Sequence, residues 1–145
     1  MNETYTDFLS KMTQCPFCNE IGNRPVVERK HAMLTYALAP YHKHHLLVVP
    51  HRHVLSIDDL TKEEESEIEE LQRVGLNLLR KLGYENITLM VREGKVQENK
   101  SIAHTHFHIV PYVQIGDLNH FGEQRRVLSH EEIQALLSEL KSVLS

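Results

Sequence analysis

Strands, a long helix, further strands and a closing helix follow one another along this chain, an order that predicts an α+β fold with an antiparallel sheet covered by helices. Three observations carry that expectation. Short apolar runs bounded by turn residues lie between residues 26 and 50, a capped amphipathic segment runs from Thr61 to Leu82, and two more strand-like runs occupy 87–91 and 102–113. The chain has 145 residues, no internal repeat and no Ser/Gly linker, so a single domain over 1–145 is expected.

Taken in order, residues 3–12 read as a short helix ending before Cys15-Pro16-Phe17-Cys18, and Asn19 to Pro25 as a loop. Val26-Val27-Glu28 and His31 to Leu38 read as strands around a turn at Arg29-Lys30. Leu46-Leu47-Val48-Val49, closed by Pro50, reads as a buried strand. Thr61 and Glu64 match a capping box for the long helix. Ile68, Leu71, Leu78 and Leu82 return at helical spacing as its buried face, and Gly83 stops it. A last helix, 129–144, begins at Ser129 with Glu132 three residues on, and is expected to bury Ile133, Leu136, Leu137, Leu140 and Leu144.

Composition removes several function classes. The net charge of −4 supplies no surplus of cations for binding a nucleic-acid duplex. Aromatics at 6% and no Trp leave few stacking platforms for single strands. No apolar run approaches the ~20 residues of a membrane span, and the polar opening Met1-Asn2-Glu3-Thr4 is no signal peptide, so a cytoplasmic location is expected. The exceptional residue is His. There are 11, and eight of them fall within 42–53 and 104–108.

Residues 102–111 read Ile-Ala-His-Thr-His-Phe-His-Ile-Val-Pro. In a strand, His104, His106 and His108 share one face, about 6.6 Å apart, while Ala103, Thr105, Phe107 and Ile109 share the other. Neighbouring imidazoles at that spacing serve two adjacent tasks, one holding a metal and the next facing a substrate, more readily than they grip one ion together. Three surface imidazoles on an exposed sheet face are the plainer alternative.

Cys15 and Cys18 have the spacing with which a tight loop offers two thiolates to one zinc. With no other Cys in the chain, His53 and His104 are the candidates to complete four ligands. A redox pair and two unligated thiols remain as alternatives. The redox reading requires a helix starting at the motif, and Asn19 to Pro25 is rich in helix breakers.

His104-Thr105-His106-Phe107-His108-Ile109-Val110-Pro111 resembles the His-x-His-x-His signature of the histidine triad (HIT) superfamily. His45-Leu46-Leu47-Val48-Val49-Pro50-His51-Arg52-His53 resembles a second strand of that superfamily. Cys-x-x-Cys resembles its zinc-bearing bacterial branch, and Ser101-Ile102 the Ser-Val ahead of the triad. The likeness covers about residues 15–113. It implies a HIT-like five-stranded antiparallel sheet in a homodimer, and nucleotidyl hydrolase or transferase chemistry on an α-phosphate anhydride or phosphoramidate. By position it implies His106 as nucleophile, with His108 and His45 flanking it. Ser101 falls at a phosphate contact, and Cys15, Cys18, His53 and His104 at a structural Zn2+.

Three positions depart from the superfamily's pattern. Ala37 stands near the place of a ribose-binding carboxylate, and Arg92 and Lys100 stand where amide side chains are usual. Cations at 92 and 100 suit a substrate with several phosphates, or else are solvated in a variable loop. His42, His44 and His51 read as rim residues. Two other functions remain open: a nucleotide-binding or scaffolding module with little turnover, and a His-rich protein that handles transition metals.

Overall fold

The computed structural model describes residues 4–11, 15–18, 25–93, 104–113, 116, 118–119 and 121–144. They divide into two compact units, Met1–Val113 and Gln114–Ser145.

The first unit holds a five-stranded sheet and two α-helices. Helix α1 spans Tyr5–Lys11. Strands β1 (Val27–Glu28), β2 (Ala32–Tyr36) and β3 (Leu46–Pro50) precede helix α2 (Lys62–Lys81), and β4 (Ile87–Val91) and β5 (Phe107–Pro111) follow it. The spatial order is β1-β2-β3-β5-β4 and every pairing is antiparallel. Placing β5 between β3 and β4 brings the histidine segment against the strand that follows His45: Leu47 faces His108 and Val48 faces Phe107.

Alternation sorts the side chains between two faces. Leu34, Leu46, Val48 and Ile109 pack with Ile68, Leu71 and Leu79 of α2, while Met33, Leu47 and Val49 pack with Phe17 on the opposite side. The apolar/imidazole alternation expected from Phe107 to Ile109 is therefore realised. The strand itself is shorter than the expected 102–113. His104 and His106 precede it, and 101–103 lie outside the described residues. The reason is local: beyond Val48, backbone and side-chain groups that a longer ladder would pair are taken elsewhere. The Thr105 N–H donates to the Val54 carbonyl at 2.6 Å, and the Pro50 carbonyl accepts from His104 Nε2 at 2.9 Å.

Both ends of α2 form as the sequence suggests. Thr61 Oγ1 accepts from the Glu64 N–H and Glu64 Oε1 accepts from the Thr61 N–H, at 3.1 and 2.8 Å. At the other end Gly83, with φ +100°, lets its own N–H reach the Arg80 carbonyl and the Tyr84 N–H reach that of Leu79. The buried face, however, is Ile68, Leu71, Gly75 and Leu79 rather than a line through Leu78 and Leu82. Three turns of 3.6 residues carry Ile68 onto Leu79, whereas Leu82 is the C-cap and is 51% exposed. Gly75 sets the approach to the sheet, since a Cβ there would lie 2.5 Å from Ile109 Cδ1 and 3.3 Å from Leu34 Cδ1.

The second unit contains α3 (His130–Leu144) and an isolated bridge between Leu118 and Gln124. Ser129 and Glu132 exchange the expected capping hydrogen bonds at 2.8 and 3.2 Å, and Arg126 also binds Glu132. The apolar face does not behave as expected. Ile133, Leu136, Leu137, Leu140 and Leu144 are 39–85% exposed, because one helix and one bridge provide no layer to bury them. No helix among the described residues is long and apolar enough to cross a membrane.

Leu71→Ala should cost about 2–5 kcal/mol in urea unfolding through lost burial and a residual cavity. Leu82→Ala should stay within about 0.5 kcal/mol of the parent. Equal losses at the two sites would contradict the face assigned to α2.

Candidate functional site

Three imidazoles, His45, His106 and His108, meet where β3 and β5 run side by side, and each is oriented by a backbone group or by another ring. His106 Nδ1 donates to the His104 carbonyl at 2.6 Å, leaving Nε2 with its lone pair. His45 is 3% exposed. Its Nδ1 accepts from the Tyr41 N–H at 3.1 Å, so in the neutral ring the proton sits on Nε2, which donates to His108 Nδ1 at 2.9 Å. His108 then carries its proton on Nε2. Its ring centroid lies 4.9 Å from that of His106. The arrangement is one open nucleophilic nitrogen beside one N–H donor.

Burial keeps these rings neutral. It pushes His45 down to about 4, with a further contribution from His106. His108 is pushed down to about 3, first by burial and then by His106, His45 and Arg92. His106 is lowered by burial and by the Arg92 charge, with its bond to the His104 carbonyl acting the other way.

A second cluster adjoins the first through His104. His104 Nε2 donates to the Pro50 carbonyl, which turns the Nδ1 lone pair toward Cys15 Sγ at 3.4 Å, Cys18 Sγ at 3.6 Å and His53 Nδ1 at 3.2 Å. Cys18 Sγ and His53 Nδ1 are 3.2 Å apart, and all four ligand atoms lie within 4.8 Å of one another. Bonds of about 2.0–2.1 Å to nitrogen and 2.3 Å to sulfur in a tetrahedron require edges of roughly 3.3–3.8 Å, so the set is compatible with one metal ion. Burial lowers His104 to about 4, which keeps its ring neutral as a ligand.

Of the residues singled out in the sequence, Cys15, Cys18, His53 and His104 converge in one group, and His45, His106 and His108 in the other. Arg92 is exposed just beyond β4, and Ser101 and Lys100 lie outside the described residues. His45 directs its N–H to His108 instead of outward. His42 and His44 are half-buried beside Tyr84, with His44 Nδ1 2.6 Å from the Tyr84 hydroxyl, and His51 Nε2 donates to the Arg29 carbonyl at 2.9 Å.

Three contributors carry no signal at the level of motif. Phe17, inside the Cys-x-x-Cys loop, places its ring 5.4 Å from His104 and 5.2 Å from His106, joining the clusters. Tyr41 stacks on His45 at 5.5 Å as well as supplying the N–H. Arg52 donates to the buried Glu64 carboxylate and to the Asp59 carbonyl, fixing the segment that carries His53 to the start of α2. Only the Arg in His51-Arg52-His53, next to a ligand candidate, hints at the last of these.

Comparison with known proteins places this geometry in company. The family described as "Scavenger mRNA decapping enzyme C-term binding" matches residues 14–120. The chain is 30% identical to an uncharacterized HIT-like protein of Methanocaldococcus jannaschii, over 88% of this chain and 98% of that one. It is also 30% identical to an adenosine 5'-monophosphoramidase of Schizosaccharomyces pombe, over 88% and 96%. Over 72% of this chain and 74% of the relative, it is 30% identical to a bis(5'-adenosyl)-triphosphatase of Dictyostelium discoideum. Among solved structures, a HIT family member from Bacillus subtilis superposes with a TM-score of 0.61 at 17% identity, covering 90% of this chain and 95% of the other.

Acid should unfold the first unit in a definite window. An unfolded His takes up a proton near pH 6.5, while His45 and His108 resist until about 4 and 3, so the unfolded chain binds more protons between those values. Stability should therefore fall as pH drops from 6.5 toward 4. NMR titration of the imidazole carbons should show both rings neutral at pH 5.

Proposed function

The chain belongs to the histidine triad superfamily, and from that membership we propose that it is a nucleotide hydrolase or nucleotidyl transferase working through a nucleotidyl-histidine intermediate on His106. The observation that carries the reading is the tautomer assignment: the His104 carbonyl holds the proton of His106 on Nδ1 and leaves Nε2 free to attack.

In the first step Nε2 attacks the α-phosphorus. A nitrogen–phosphorus bond forms and the bond from phosphorus to the leaving group breaks with its electron pair. The oxygen of an anhydride leaves as a phosphate anion, and the nitrogen of a phosphoramidate takes up a proton from solvent and leaves as the amine. The imidazole becomes cationic, and its Nδ1–H remains bonded to the carbonyl, which stabilises that charge. His108, whose ring centroid lies 4.9 Å from that of His106, serves a phosphoryl oxygen with its Nε2–H. His45 positions His108 by fixing its tautomer. In the second step water attacks phosphorus and loses its proton to solvent. The bond to Nε2 breaks, and a nucleoside monophosphate leaves. The named activities of the fission-yeast and Dictyostelium relatives, a phosphoramidase and a triphosphatase, support both substrate classes as starting points.

The metal in this reading is Zn2+, held by Cys15, Cys18, His53 and His104. The support is the donor set, two thiols and two imidazoles whose ligand atoms all lie within 4.8 Å of one another. A bound zinc supplies cross-linking rather than chemistry at phosphorus, tying the 15–18 loop and Phe17 to the segment that positions His106. The assembly in this reading is a homodimer.

Incubation with a nucleotide labelled at the α-phosphate, followed by quenching in base, should trap one acid-labile adduct per active chain, absent from His106→Ala. Nucleotide binding with neither adduct nor turnover would favour the binding-module alternative. Elemental analysis should find one zinc per chain, and Cys18→Ser should lower both the zinc content and the thermal midpoint. A protein that holds several metals per chain would point to metal handling instead.

A further inference from the structure

We infer that Arg92 sets leaving-group specificity at the His106 site, favouring substrates whose leaving group is a polyphosphate anion, such as dinucleoside polyphosphates, over nucleotide phosphoramidates. The inference rests on the proposed reaction and narrows its substrate class.

Placement comes from strand register. In the antiparallel pair of β4 and β5, Met90 faces His108 and Val91 faces Phe107, the last pair of the ladder, and Arg92 and His106 are the residues immediately beyond that pair on the two strands. Cross-strand partners present their side chains to the same face of a sheet, which puts Met90 with His108, and the alternation that continues past Val91 carries Arg92 toward that same face. Its guanidinium is exposed, and among the described residues no carboxylate pairs with it. Its positive charge is nonetheless felt at both His106 and His108. An exposed cation directly after β4, with no carboxylate partner among the described residues, is available to a ligand.

The two substrate classes respond to such a cation in opposite senses. When an anhydride is cleaved at the α-phosphorus, the departing oxygen gains negative charge on a group already anionic, and a forked guanidinium can bind two of its oxygens at once. When a phosphoramidate is cleaved, the departing nitrogen must gain a proton to leave as a neutral amine or ammonia. A fixed positive charge beside it opposes that protonation. Arg92 therefore stabilises one transition state and not the other.

The experiment measures kcat/KM for diadenosine triphosphate and for adenosine 5'-monophosphoramidate in the full chain and in its Arg92→Gln and Arg92→Lys variants, with folding checked by circular dichroism. The ratio of the two values should favour the triphosphate in the parent and fall about tenfold or more in Arg92→Gln, as expected for losing a charge-assisted contact. Arg92→Lys should recover most of the ratio. An active enzyme whose ratio is unchanged in Arg92→Gln, or whose parent prefers the phosphoramidate, overturns this inference and leaves the proposed reaction standing. A parent chain that forms no adduct with either compound overturns the reaction, and the specificity inference with it.

Discussion

Each imidazole in the site has two nitrogens, and the structure spends one of them on a backbone partner or a neighbouring ring so that the other is left in a defined state. The Pro50 carbonyl, the His104 carbonyl and the Tyr41 N–H set the proton positions of His104, His106 and His45, and His45 sets His108. Water would allow either tautomer and a charged form near neutral pH; burial suppresses the charge, and the backbone bonds choose the tautomer. Two lone pairs, His104 Nδ1 and His106 Nε2, are thereby left open within two residues of chain. Without those bonds the same rings would be interchangeable surface histidines.

The rest of the fold serves to hold these backbone groups in place. Gly75 allows α2 to lie close against the Ile109 side of the sheet, so the segment bearing His108 is packed from behind by Leu71, Leu79 and their neighbours. The Arg52–Glu64 pair joins the chain after β3 to the first turn of α2. The Arg52 guanidinium, reinforced by the Thr61 backbone, holds the Glu64 carboxyl below its usual range despite the burial that opposes ionisation. One carboxylate thus closes the capping box and receives the Arg, which restrains the stretch from Pro50 to Val54. That stretch supplies the carbonyl for His104, the ligand candidate His53 and the acceptor for the Thr105 N–H. Phe17 extends the same logic from the Cys loop to both His104 and His106.

Much of this was legible in local pattern. Period-two alternation separated His108 from Ile109, Thr61 and Glu64 marked the start of α2, and the Cys-x-x-Cys spacing with His53 and His104 named the four groups that converge. The less legible parts depend on what lies across from a residue. Leu82 satisfies helical spacing nearly as well as Leu79, and only the end of the helix at Lys81 leaves it outside. The apolar stripe of α3 has the same periodicity as a core-facing helix, yet it stands exposed because periodicity records which residues share a face and not whether a second layer covers it. Position 92 reads as the end of a strand in a charged stretch until the register, closing at Val91 and Phe107, brings it next to the start of β5.

The sequence by itself determined the elements, the two faces of the histidine strand and the identity of the residues with unusual chemistry, because these follow from side-chain period and from ligand type at short spacing. Tertiary structure alone decided the protonation pattern among the imidazoles. A tautomer is chosen by whichever donor or acceptor a nitrogen meets, and here those partners, Pro50 for His104 and Tyr41 for His45, arrive through strand order and loop path.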